Sequence, residues 1–159
     1  MGVPSLNNIS ELEDFLLRKT YRFFVLILIL ISAALSGCQQ STEKQVLNTV
    51  NDYVKYMNAE DAPSVYMLAY REVRSLGYKN QLQTLFALYD VDYTLEKAEF
   101  VNVEDDIAYV DFIMTMIKTD DSDFQNVRLN GTFQLKLENE AWKILLMDYD
   151  AETGVEYLQ

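Results

Sequence analysis

The 159-residue chain contains no histidine. That removes the side chain most used as general base, proton shuttle and metal ligand near neutral pH. A single cysteine, Cys38, leaves no disulfide within the domain that follows it and no Cys/His cluster for zinc. The five glycines form no phosphate-binding loop, and no serine sits in a nucleophile elbow. Basic residues are also scarce, 13 against 25 acidic. The resulting net charge of −12 repels nucleic acid and anionic lipid headgroups. Residues 1–37 hold three basic and three acidic residues, so all of that net charge belongs to the part that follows. No stretch reaches the ~20 apolar residues that a membrane-spanning helix needs.

What is present begins with an address. Arg18-Lys19-Thr20-Tyr21-Arg22 precedes an apolar run from Phe23 to Leu35, and then come Leu35-Ser36-Gly37-Cys38. The order is positive segment, apolar segment, small residues and cysteine. It resembles the signal peptide of a bacterial lipoprotein, with Leu-Ser-Gly-Cys as lipobox. The resemblance implies that residues 1–37 are removed and that Cys38 carries a diacylglycerol thioether as the new N-terminus. It also implies palmitate on the chain and a membrane partner reached through that lipid. Each buried CH₂ of an acyl chain contributes ~0.8 kcal/mol, so two or three chains hold firmly. The small residues Ser32, Ala33, Ala34, Ser36 and Gly37 argue against an uncleaved helical anchor. Gln39 lacks the acid that retains sorted lipoproteins in an inner membrane, which favours the outer one in a cell with two. Glu11, Glu13 and Asp14 do not suit a signal peptide, and the reading places the true start near Leu16 or Leu17. Leu6 does not fit a myristoylation motif.

Residues 38–42 then form a tether, and residues 43–159 are long enough for one core. Their first half has helical spacing. Val46, Leu47, Val50, Tyr53, Val54 and Met57 make one stripe of a helix starting at Glu43, behind Ser41-Thr42. Asp61 caps a second helix with Pro63 in its first turn, Val65, Leu68, Ala69, Val73 and Leu76 inward, and Gly77 at its end. A third helix is predicted over Asn80–Leu88. Beyond Tyr89 the period drops to two. Strands are predicted over Tyr93–Asn102, Ile107–Lys118, Gln125–Leu137 and Ala141–Tyr149, with turns at Glu104-Asp105-Asp106 and Glu138-Asn139-Glu140. Short connections make the sheet antiparallel. Gly131 in mid-strand predicts a bulge or bend.

Helices followed by a meander of about four long strands is an α+β layout. Together with Gly131-Thr132-Phe133-Gln134-Leu135-Lys136-Leu137 and Ala141-Trp142-Lys143-Ile144, it resembles the nuclear transport factor 2-like superfamily. That fold is a cone of three helices against a strongly bent sheet. Its members include dehydratases, isomerases, cyclases and binding modules, so the fold alone selects none of them. Alternate residues on a strand share a face, so Trp142 is expected inward with Ile144 and Leu146, and Lys143 outward.

The Asp–His pair of the superfamily's enzymes is missing here. Asp111, among apolar neighbours on the long strand, is the candidate base, with Tyr109 on the same face as a donor. Tyr53, Tyr56, Tyr66 and Trp142 are candidate binding residues. Asp120-Asp121-Ser122-Asp123 fails the spacing of a calcium loop, since Asn126 and Thr132 stand where Gly and Glu are required. Asp148, Asp150 and Glu152 read as a fraying polar end. No cofactor or metal is expected. The reading favours a membrane-anchored envelope lipoprotein whose domain binds a small ligand or an envelope protein, without catalysis. The alternative is an enzyme acting on a small apolar substrate through Asp111. Both faces of Ile107–Lys118 are apolar, which predicts a homodimer through the sheet.

Overall fold

The computed structural model describes residues 42–158. The expected signal peptide, Cys38 and residues 39–41 of the expected tether lie outside the described residues, and residue 42 already belongs to the first helix. Helix α1 covers residues 42–58, α2 Ala62–Leu68 and α3 Leu76–Leu88. Five strands follow: β1 Val91–Glu104, β2 Ile107–Lys118, β3 Val127–Glu138, β4 Ala141–Asp148 and β5 Val155–Tyr157. The expected α+β fold is the observed one.

Each helix follows from a local cause. Val46, Val50, Val54 and Met57 of α1 are buried along one stripe. Its last residue, Asn58, clamps β1: Nδ2 donates to the Tyr93 carbonyl at 2.8 Å, and the Tyr93 N–H donates to Oδ1 at 2.7 Å. Asp61 caps α2 as expected, accepting from the Ser64 N–H at 3.1 Å, with Pro63 in the first turn. The predicted length of α2 needs correction. The chain turns extended at Ala69, which bridges Ile144, and the Tyr70 N–H donates to the Ile144 carbonyl at 2.7 Å. Ser75 then caps α3 through the Tyr78 N–H. Gly77 therefore starts a helix instead of ending one, and Leu76 is 74% exposed instead of inward.

Strands β1 to β4 form an antiparallel meander, and β5 adds to β3. One edge of β3 pairs with β2. The other is shared, with β4 along Thr132–Glu138 and β5 along Val127–Leu129. Extra residues Glu96, Val101 and Leu145 interrupt the ladders of β1 and β4, and such bulges bend a sheet. Leu145 also shifts the parity of β4. Trp142 and Ile144 keep to the inner face, Met147 replaces Leu146 there, and Leu146 is 46% exposed. Lys143 is half-buried and donates to the Met67 carbonyl at 2.9 Å.

Gly131 lies in an unbroken β2–β3 register, so no bulge explains it. A Cβ there would stand 2.2 Å from the Asp148 carbonyl oxygen and 3.1 Å from the Phe112 ring. The residue is glycine because the end of β4 crosses directly over it. The C-terminal segment does not fray. Asp150 accepts from the N–H groups of Glu152 and Thr153, each at 2.8 Å, and Gly154 closes the turn onto the Asp150 carbonyl at 2.7 Å. The turn delivers β5 to β3.

The core lies between α1 and the inner face of the sheet. Val110, Phe112 and Met114 of β2 and Phe133 and Leu135 of β3 are its centre. Asn139 and Glu140 both take positive φ, 50° and 64°, which allows the two-residue turn before β4.

Candidate functional site

Two depressions on the fold bear on the candidate residues. The first lies between the helices and the second half of β4, with a volume of about 240 Å³. Tyr53, Tyr78, Phe133, Ile144 and Met147 line it, with Ala69 and Val73 at its side. Alpha-helical spacing carries Tyr53 from the stripe of α1 onto Phe133, edge to face at 5.6 Å between ring centres. Ser75, by starting α3, turns Tyr78 toward the same space. Tyr66 stacks on Tyr78 from behind, at 6.3 Å. Tyr93 lies close enough to Tyr53 for their phenols to interact.

These phenols are held protonated. Burial raises the Tyr53 pKa first, and the Tyr78 and Tyr93 phenols raise it further. Burial also raises that of Tyr78. Tyr93 is pushed up to about 12, by burial and then by the charge on Glu60. The lining of this pocket contains no carboxylate, amine or thiol. Its chemistry is an apolar wall with hydroxyl groups able to donate and accept hydrogen bonds.

The second depression, about 350 Å³, opens on the outer face of the sheet where β4 leaves β3 and β5 arrives. Lys97, Asp111, Asn130, Thr132, Asp150 and Thr153 are among its lining residues. Asp111 is exposed, pairs with Glu99 and Thr132, and accepts from the Thr132 hydroxyl at 2.8 Å. Lys97 is tied to Glu99 at 2.6 Å. Asp150 is occupied by the turn it shapes, and those N–H groups hold its carboxyl below the usual range.

Asp111 therefore lies on the face of the sheet away from the helices. The strand parity that buries Val110 and Phe112 turns residues 109 and 111 outward, so Tyr109 accompanies it. Of the candidate binding residues, Tyr53 lines the inner pocket and Tyr66 backs it. Tyr56 packs against the core with Lys55 over its ring, and Trp142 is buried outside the lining. Sequence reasoning misses Tyr78 because a glycine suits a helix end, whereas Gly77 lies in the first turn of α3. Among the described residues, no group of three or more acids or thiols is placed to hold a metal. None of their helices is long and apolar enough to cross a membrane.

The outer face expected to pair two copies carries Ile107, Ile113 and Ile117 in a polar setting. Glu96, Arg128, Glu156, Gln134 and Asn130 share that face, and Arg128 binds Glu96 at 2.9 Å and Glu156 at 3.7 Å.

Residues 48–158 match the family described as the C-terminal domain of anti-sigma-I factor RsgI9. The chain belongs to this family. A curated relative is the anti-sigma-I factor RsgI9 of Acetivibrio thermocellus, 27% identical over 106 residues. The alignment spans 67% of this chain and 14% of the relative, so the chain spans about a seventh of that protein's length. Two solved structures from Novosphingobium aromaticivorans share the fold. One, described as a scytalone dehydratase, has a TM-score of 0.59 and 10% identity, covering 78% of this chain and 89% of its own. The other, described as an aromatic ring hydroxylase, has a TM-score of 0.55 and 14% identity, covering 73% and 92%. Identities this low carry the fold alone. The RsgI9 C-terminal domain is thus built, in this chain, as the α+β fold that these two structures share, helices followed by an antiparallel meander.

Proposed function

We propose that this RsgI9-type domain is a recognition module that takes a small, largely apolar ligand into the pocket between α1, α3 and β4. The observation that carries the reading is the lining. It pairs apolar walls with the Tyr53 and Tyr78 hydroxyls and holds no group that could act as base at neutral pH. A ligand of about one or two rings fits the volume, and a carbonyl or hydroxyl on it satisfies the phenols. The name of the relative belongs to a whole protein of which the match spans 14%, and the matched part is its C-terminal domain. We assign to that part the receipt of a signal, with the ligand as signal.

The lipobox-like segment supports an envelope location. In this reading Cys38 is acylated and holds the domain on a membrane, the outer one in a cell with two. Cys38→Ala should release the chain from the membrane fraction and abolish palmitate labelling. Retention without label sinks the anchor. Pairing through the sheet stays part of the proposal, and sedimentation of residues 39–159 at micromolar concentration decides it, a clean monomer removing it.

Ligand recognition is tested by calorimetry of residues 39–159 against a panel of small aromatic ketones and phenols. Tyr53→Phe and Tyr78→Phe keep the walls and remove the hydroxyls. Each should weaken binding roughly tenfold, the worth of a hydrogen bond to a buried ligand group. Turnover of a bound compound that Asp111→Asn abolishes would replace this reading with the enzymatic one.

A further inference from the structure

A third region, away from both depressions, carries exposed apolar surface that the proposed pocket does not use. Met116, Phe124, Val127, Tyr149, Val155 and Tyr157 line a groove of about 430 Å³ beside β5. It runs on past Phe124 and Tyr157, residues common to both, into a depression of about 480 Å³ that reaches Lys118, Asn126 and Leu158. Tyr157 is 68% exposed and Tyr149 41%. Large side chains left bare along one groove mark an interaction surface more often than scattered ones do.

Charge names the occupant. Asp90, Asp121, Asp123 and Glu152 are exposed, and the last three stand within three positions of lining residues in the sequence. Asp90 follows Tyr89, whose ring packs on Phe124 at 5.5 Å. Asp123 precedes Phe124, and Glu152 follows Ala151 of the lining. The lining holds one cation, the Lys118 ammonium, which donates to the Ser122 carbonyl at 2.6 Å and is outnumbered by these acids, while Arg128 is held by Glu96 and Glu156 on the other face.

We propose that this groove docks an extended, lysine- or arginine-bearing apolar segment of another protein. Its apolar side chains lie against Tyr157, Phe124 and Tyr149, and its cations meet the acidic border. A second copy of the chain, with net charge −12, brings the wrong sign. Anionic lipid headgroups are repelled for the same reason. An open trough of two linked depressions also suits an extended segment better than a compact ligand.

The test uses the full chain in detergent and three labelled peptides read by fluorescence anisotropy. One alternates leucine and lysine, one leucine and glutamate, one serine and lysine. The leucine–lysine peptide should bind, and the other two should bind at least about tenfold more weakly. Tyr157→Ser, at an exposed position that leaves the core intact, should weaken it roughly tenfold. Joint Asp121→Asn, Asp123→Asn and Glu152→Gln should weaken it several-fold and flatten its salt dependence. Joint Glu43→Gln, Glu72→Gln and Glu140→Gln removes as much charge elsewhere and should leave binding unchanged. The proposal falls if the remote variant loses as much as the border variant, or if serine–lysine binds as well as leucine–lysine. It falls equally if Tyr157→Ser has no effect, or acts by dissociating a dimer of the chain.

Discussion

Single residues set what each surface can do, and Gly131 shows how little room some have. Its missing side chain lets the Asp148 carbonyl cross β3 at a distance no Cβ tolerates. Gly131→Ala must push β4 away, strain comparable to overpacking a core. It should destabilise by about 1–3 kcal/mol, read from urea midpoints at constant slope. Asp111 is the contrasting residue. Exposed and bonded to a neighbouring threonine, it should tolerate Asp111→Asn within ~0.5 kcal/mol by the same measurement. The sequence showed Asp111 among apolar neighbours but could not say which face of β2 the helices cover, because both faces are apolar. Only the register with β1 and β3 resolves that, by placing Glu99 and Thr132 beside it.

Elements were legible where one period runs unbroken, and illegible where a long-range contact ends it. The stripe of α1 and the strand Ile107–Lys118 were both readable. The end of α2 was not, because it depends on Ala69 bridging Ile144, 75 positions away. The face of Leu146 was lost for a related reason, since Leu145 is an extra residue only relative to β3. β5 is three residues long and stands because the Asp150 turn aims it, which no periodicity announces. Asn58 belongs to this scale as well. Read alone, it is a helix breaker, and in the fold it ties the end of α1 to the start of β1 with two hydrogen bonds. Asn58→Ala leaves both backbone groups of Tyr93 without these partners and should cost about 1–3 kcal/mol. Hydrogen exchange should show the loss at α1 and the first residues of β1, with β3 and β4 keeping their protection.

At the scale of the molecule, the absence of histidine shapes the response to pH. Between the carboxylates and the phenols few side chains titrate, so stability should be flat through neutrality. On the acid side, Asp61, Glu96 and Asp150 have carboxyls lowered by hydrogen bonds. Their contribution is present above the ordinary carboxylate range and is lost as pH falls through their lowered values. The alkaline side is governed by the tyrosines around the inner pocket. Tyr93 titrates near 12 in the folded chain and at 10.0 when free, and Tyr53 and Tyr78 shift the same way. A raised value means that the folded state keeps its protons longer than the unfolded one. The stability Tyr93 contributes is therefore complete below pH 10.0 and is lost as pH rises toward about 12, and the contributions of Tyr53 and Tyr78 are lost in the same direction. Urea unfolding followed across that range should show a steep decline in the native chain and a shallower one in Tyr53→Phe. A bound ligand that satisfies the phenols should postpone the decline, since it binds only the protonated, folded pocket. The same titration therefore reports on the pocket and on the fold together, and a ligand that stabilises at neutral pH but leaves the alkaline limb unmoved must sit somewhere other than against Tyr53 and Tyr78.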